Sequence, residues 1–214
     1  GPAFEGAHIK FGMRAAPGAI ERVLIVDGQV EYKTIGDAPP VGLCGSGILD
    51  VVAQLRLHGL VDGRGRLAGP GVREADLDVE FEVASAADAG NGRAITVTQH
   101  DIRELQLAKG AIRCGIETLL QDAGITADAL DRVIIAGAFG TYIDVASAMT
   151  IGLLPRVPLE RIAQVGNAAG TGARLALISR TQRDHARALA GRLRYLELAR
   201  TPRFMRNFAE AMLM

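Results

Sequence analysis

The chain has 214 residues, enough for one generous domain or two small ones with a sizeable core. Its 24 Lys and Arg balance 24 Asp and Glu, so no basic surplus is available to neutralise phosphates along a nucleic-acid groove. Hydrophobic residues make up 49%, which excludes global disorder, and no apolar run approaches the roughly 20 residues a membrane helix needs.

Residues 19–35 read as a hairpin, with arms at 23–26 and 30–33 on either side of Asp27-Gly28. Residues 36–40 are a breaker cluster. The glycine-rich turn 42–47 then opens a helix in which Ile48, Val51, Val52, Leu55 and Leu57 recur at near-helical spacing until Gly59. Residues 59–92 are less regular and read as a peripheral hairpin or loop excursion. Residues 94–97 make a strand, and Thr98 with Asp101 forms a capping box. The helix that follows carries Ile102, Leu105, Ala108, Ile112, Ile116, Leu119 and Leu120 on one face and ends at Gly124. Residues 133–136 are an apolar strand of the kind buried on both faces, running straight into the turn 137–140. Next come a short helix over 142–150, a strand at 162–165 closed by Gly166-Asn167, and a small-residue helix from Ala168. A further helix, a strand at 195–198 and a helix capped by Thr201 with Pro202 at its first position complete a mixed α/β chain.

The glycine turns at 42–47, 137–140 and 166–172 sit at strand ends or helix starts, where free backbone N–H groups and the helix dipole suit a phosphate. No GxxxxGK[ST], GxGxxG or Gly-x-Ser-x-Gly pattern is present, which removes the Walker, Rossmann and hydrolase-elbow readings. His8, His58, His100 and His185 are scattered without metal-ligand spacing. Cys44 and Cys114 lie 70 positions apart with no CxxC, so neither a zinc site nor an iron–sulfur cluster can be built from these residues alone. The pair reads as reduced thiols of a cytoplasmic protein.

Gly45, Ser46 and Gly47 are the candidates for the phosphate side, Ser46 either donating its hydroxyl or capping the helix. Asp50, a turn further in, either reaches a metal-bound water or lies on the helix surface. Lys109 either reaches a nucleotide or extends to water. Glu5 faces a cleft or stands in an exposed loop, and Asn167 bonds ligand or caps its helix. Cys44 is either a buried small residue or a thiol at a helix N-terminus.

The run 133–140, followed by Ile143-Asp144 and Ile151-Gly152-Leu153-Leu154-Pro155, resembles the adenosine-binding segment of the sugar kinase/Hsp70/actin superfamily. Residues 108–112 resemble its connecting helix, and 166–173 its following small-residue helix. With Gly1-Pro2-Ala3-Phe4-Glu5-Gly6-Ala7, Gly12-Met13-Arg14-Ala15, Gly18-Ala19-Ile20 and the segment 42–50, the whole chain from 1 to 214 resembles the C-terminal ATP-binding domain of the reductive activators of corrinoid proteins.

That resemblance implies an α/β, ribonuclease H-like fold of the actin type, here without its first strands. It implies ATP with Mg²⁺ as cofactor and Gly137, Ala138, Phe139 and Gly140 as the adenosine side. Family members return an inactive Co(II) corrinoid on a partner protein to Co(I), drawing the electron from an N-terminal [2Fe–2S] ferredoxin-like domain. No such cysteine motif, and no Asp-x-Gly-Thr strand turn, stands in these residues. Since the chain opens on Gly1-Pro2 without Met, it reads as a piece of a longer protein, inactive alone, with Gly1-Pro2 alternatively a cleavage scar. The implied partner is a corrinoid protein or corrinoid methyltransferase; a homodimer stays open, and neither nucleic acid nor membrane is expected. A small-molecule kinase of the same superfamily and a nucleotide-independent docking module are the rival readings.

Overall fold

The computed structural model describes residues 2–75 and 78–214. Asp27 and Gly28 both take positive φ, 50° and 78°, the conformation a two-residue hairpin turn needs. They join strand β1 (Ala19–Val26) to β2 (Gln29–Thr34) in antiparallel register. A register irregularity between Ile20 and Arg22 leaves Glu21 without a partner on β2, a bulge that breaks the inside-outside alternation of β1. The short strand β3 (Gly42–Leu43) runs parallel to β1 on its other edge.

Helix α1 (Gly45–Leu57) follows at once and buries Ile48, Leu49, Val51, Val52 and Leu55. A Cβ at Gly47 would press on the carbonyl of Ile20, so glycine lets the helix lie directly on β1.

A second sheet holds β4 (Val72–Ala75), β5 (Asp78–Ala84) and β6 (Ile95–Thr98), all antiparallel, with β5 in the middle. The region 59–92 therefore contains the expected hairpin, but its second strand is central and brings Phe81, Val83 and Ala84 into the core. Helix α2 (Gln99–Ala123) starts at the expected capping box and stops at Gly124, which adopts φ 67°. Asp101, fully buried, accepts from the backbone N–H of Thr98 at 2.9 Å and of Lys10 at 2.8 Å. One carboxylate thus caps α2 and anchors the N-terminal segment.

Strands β7 (Val133–Ile135) and β8 (Ile162–Gln164) pair in parallel. Between them lie α3 (Ala138–Tyr142) and α4 (Val145–Thr150), and after them α5 (Ala168–Ile178), α6 (Arg180–Ala190) and α7 (Phe204–Ala211), the last packed on α2.

Four local expectations differ from the structure. Residues 133–136 were to be buried on both faces, yet Ile134 is 62% exposed, because β7 has a single paired neighbour among the described residues. The helix over 142–150 is two helices, since Ile143 is extended and the Asp144 carboxylate restarts the chain by accepting from Ser147 N–H at 2.7 Å. Residues 195–198 form no strand: Tyr195 is 85% exposed, and a 3-10 turn spans Leu198–Arg200. Thr201 does not cap the final helix, for its hydroxyl donates back to the Leu198 carbonyl at 2.6 Å and Arg203 takes the cap position at φ 67°.

The dual role of Asp101 sets an ordering of mutant stabilities. Thr98→Ala should cost about 1 kcal/mol, the usual value of a cap. Asp101→Ala leaves the buried Thr98 N–H and the part-buried Lys10 N–H without acceptors and should cost about 2–4 kcal/mol. Urea denaturation of both variants measures the difference, and equal losses would contradict the anchoring role.

Candidate functional site

The N-terminal 3-10 turn (Pro2–Glu5), the start of α1 and the start of α3 converge on one cavity of about 530 Å³. Gly45 sets their spacing. A Cβ there would collide with the Phe4 carbonyl oxygen and stand 2.8 Å from the Phe139 ring. The rings of Phe4 and Phe139 are 5.0 Å apart between centroids and tilted by 38°, closing the apolar end. Ala138, Phe139 and Tyr142 line it from α3, and Gly45 and Ser46 from the start of α1.

The start of α1 is prepared for an anion. Its N-cap is Cys44, which makes no side-chain cap hydrogen bond, and no acidic residue stands in the first turn. The first-turn N–H groups of a 13-residue helix are thereby left to whatever occupies the cavity. Cys44 is buried, donates its thiol to the Ile20 carbonyl at 3.3 Å, and lies 3.4 Å from the Ser46 hydroxyl. Arg14, Glu5 and Glu21 add charge at the rim.

Of the residues singled out from the sequence, Glu5, Cys44, Gly45, Ser46, Ala138 and Phe139 line this cavity together. Gly47 sits behind it as the contact of α1 with β1. Gly137 is the N-cap of α3 at φ 107°, and Gly140 is buried under that helix against Ile135. The turn at 166–172 lies outside the lining and braces it: the Gly137 N–H donates to the Gly166 carbonyl at 2.7 Å. Asn167 takes the capping alternative, its side chain accepting from Gly170 N–H at 2.9 Å.

Lys109 is on neither expected path. It is fully buried, and its ammonium donates to the carbonyl of Leu213, so it holds the C-terminal segment rather than a nucleotide or water. Burial and then the neighbouring Arg113 pull its pKa down to about 8.

Asp50 is neither on the surface nor among the cavity-lining residues. It is buried beneath the cavity, 3.6 Å from the guanidinium of Arg22, and burial pushes its pKa up to about 6 against the attraction of Arg22.

Reading residues one at a time missed Phe4, Arg14, Glu21 and Tyr142. All four stand in or beside segments whose resemblance was visible, but the bulge that brings Glu21 to the rim leaves no mark in the pattern of β1.

The comparisons with known proteins act on the whole chain. The profile of the family described as the C-terminal domain of RACo, the ASKHA domain, matches residues 1–214. The chain belongs to this family. A solved reductive activator for corrinoid, iron-sulfur protein superimposes with TM-score 0.90 at 43% identity, covering 100% of this chain and 35% of that one. The fold is therefore the ASKHA fold, as the sequence resemblance implied. The corrinoid activation enzyme RamQ of Eubacterium limosum is 39% identical over 97% of this chain and 37% of the relative. A [Co(II) methylated amine-specific corrinoid protein] reductase of Methanosarcina barkeri is 26% identical over 90% of this chain and 36% of that protein. The chain thus spans just over a third of the length of the relatives it matches. Among the described residues no helix is long and apolar enough to cross a membrane.

Two consequences of this geometry are measurable. Gly45→Ala should close the cavity or displace Phe139, lowering stability by about 1–3 kcal/mol and abolishing whatever binds between α1 and α3; unchanged binding would show that the close approach is dispensable. The second concerns pH. Asp50 holds its proton more tightly in the fold than in the unfolded chain, whose ordinary value is 3.8, so its contribution to stability falls as pH rises from about 4 to 6. A shift of roughly two units corresponds to at most about 3 kcal/mol. Asp50→Asn should flatten that slope in urea titrations run at pH 4.5 and 7.

Proposed function

We propose that this chain is the ATP-binding part of a reductive activator that returns a Co(II) corrinoid, carried on a partner protein, to Co(I). The observation that carries the reading is the cavity between α1 and α3. It joins an apolar, aromatic end to an uncapped helix start, the two chemistries that an adenine nucleotide requires. Its 530 Å³ suits a ligand of that size.

In this reading Phe139, Ala138 and Tyr142 lie against the adenosine. The first-turn N–H groups of α1 and the Ser46 hydroxyl face the phosphates, with Arg14 adding positive charge. Glu5 and Glu21 are the carboxylates at the rim that suit a hydrated Mg²⁺. Bound ATP supplies the free energy that favours one arrangement of the whole activator over another.

The names of the relatives support a corrinoid protein as partner, in a corrinoid methyl-transfer system. The electron for cobalt comes, in this proposal, from a [2Fe–2S] centre of a ferredoxin-like domain outside residues 1–214, because two separated cysteines cannot ligate one. One electron passes from the reduced cluster to Co(II), giving Co(I) and the oxidised cluster. A cytoplasmic location goes with this reading.

The test uses the full-length protein. ATP with Mg²⁺ should raise its melting temperature and give a titratable heat. Phe139→Ala should weaken binding about tenfold or more, the value of one aromatic contact. With a reduced electron donor and the corrinoid partner, Co(I) should accumulate only when ATP is present. Binding without Co(I) formation would replace the activator reading by a kinase reading, to be read from phosphorylated product. No binding at all would leave a docking module.

A further inference from the structure

Arg22 stands between two carboxylates carried by separate elements behind the cavity lining, Asp50 on α1 and Asp144 at the start of α4. Its Nη1 is 3.6 Å from Asp50 Oδ2, on α1 one turn after Gly45-Ser46, and 3.9 Å from Asp144 Oδ2, two residues after the last residue of α3. Arg22 itself lies on β1 beside Glu21, at the bulge. Both Arg22 Nη1 and Asp50 Oδ1 are buried and lack a hydrogen-bond partner. Such atoms are costly to leave unmade, about 1–3 kcal/mol each and more for charged groups. Here the unsatisfied donor faces carboxylates just beyond hydrogen-bonding distance. Approaches of about 0.8 Å at Asp50 and about 1.1 Å at Asp144 convert both long contacts into charge-assisted hydrogen bonds near 2.8 Å.

We propose that Arg22, Asp50 and Asp144 form a positioning cluster that draws the α1 and α3–α4 walls together when the cavity is filled, and so sets nucleotide affinity without touching the nucleotide. The inference rests on the nucleotide reading of the cavity given above. It accounts for the burial of the Asp50 carboxylate at a place with no ligand contact, beside Arg22 and Asp144 side chains that are 41% and 44% exposed. Asp144 is already held in place by capping α4, so its carboxylate offers a fixed anchor. On the α3 side, Gln164 pins the carbonyls of Gly140 and Ile143 at 2.6 and 3.0 Å, so α3 and the start of α4 move as one piece.

The charged groups facing Asp50 are Arg22 from β1 and Asp144 from α4, with Ser147 and the Val23 N–H as the polar neighbours. Asp50 titrates near pH 6. The cluster is therefore complete at neutral pH and loses one of its two carboxylates on acidification.

The experiment measures ATP·Mg²⁺ affinity and hydrogen exchange in the full-length protein and its Arg22→Gln, Arg22→Lys, Asp50→Asn and Asp144→Asn variants. Asparagine retains the cap of α4, so Asp144→Asn removes only the charge and keeps the question open should Arg22→Gln fail to fold. At pH 7.5, Arg22→Gln, Asp50→Asn and Asp144→Asn should each weaken binding about fivefold to tenfold, with Arg22→Lys recovering most of the loss. The Asp50→Asn to wild-type ratio of dissociation constants, in which the titration of ATP itself cancels, should fall to about twofold to threefold at pH 5.5. In nucleotide-free protein, amides 138–144 should exchange faster in Arg22→Gln and Asp144→Asn than in wild type.

Folded variants that bind as wild type does, or a ratio independent of pH, would overturn the cluster while leaving the nucleotide reading intact. Wild-type protein that binds no ATP sinks the nucleotide reading, and with it the role in affinity. The exchange rates still decide whether the cluster holds the two walls.

Discussion

The contact of Gly45 with Phe4 and Phe139 is the constraint on which the site depends. Three segments far apart in the chain meet where a single Cβ would not fit. Because Gly45 is also the first residue of α1, that meeting places the uncapped end of a helix directly opposite the aromatic ring of another segment. An uncapped helix start and an aromatic ring are thus held together by backbone packing rather than by flexible side chains. The rest of the architecture holds this arrangement from behind: Gly47 lets α1 lie on β1, and the turn at Gly166 braces Gly137.

The charges beneath the site follow a different logic. Asp50 has lost most of its water and regains only part of that free energy from an arginine standing beyond hydrogen-bonding distance, so its carboxyl is driven toward neutrality. A folded core assembled for stability alone has no need of such a group; an aliphatic residue of similar volume would serve α1 better. The positioning role proposed for the cluster gives such a group a reason to be there that stability does not.

The parts of the structure that could be read from the sequence are those decided by near neighbours. The Asp27-Gly28 hairpin, the Thr98–Asp101 capping box, the stop at Gly124 and the glycine turn before α1 all depend on interactions within a few residues, and all form as expected. The wall residues Gly45, Ser46, Ala138 and Phe139 were legible because glycine turns at helix starts carry their chemistry in the local pattern. Other features were decided at long range. Whether residues 133–136 are buried depends on which strands flank them, and Lys109 on an apolar helix has a meaning only once Leu213 is beside it. The position of Asp50 was ambiguous for a similar reason: its neighbour Arg22 arrives through a bulge, and a bulge shifts register without altering composition.

The buried lysine also bears on how the chain is made. Lys109 and Gln106 wait on α2 for carbonyl groups of Leu213 and Met212, more than 100 residues later in the chain, and the Met214 N–H closes on Gly63. During synthesis the ammonium of Lys109 has therefore to stay in water long after its helix has left the ribosome. The α2 groove can be sealed only when the segment 212–214 has emerged. The groove of α2 therefore closes later than the contacts that the same helix makes with β5 and β6.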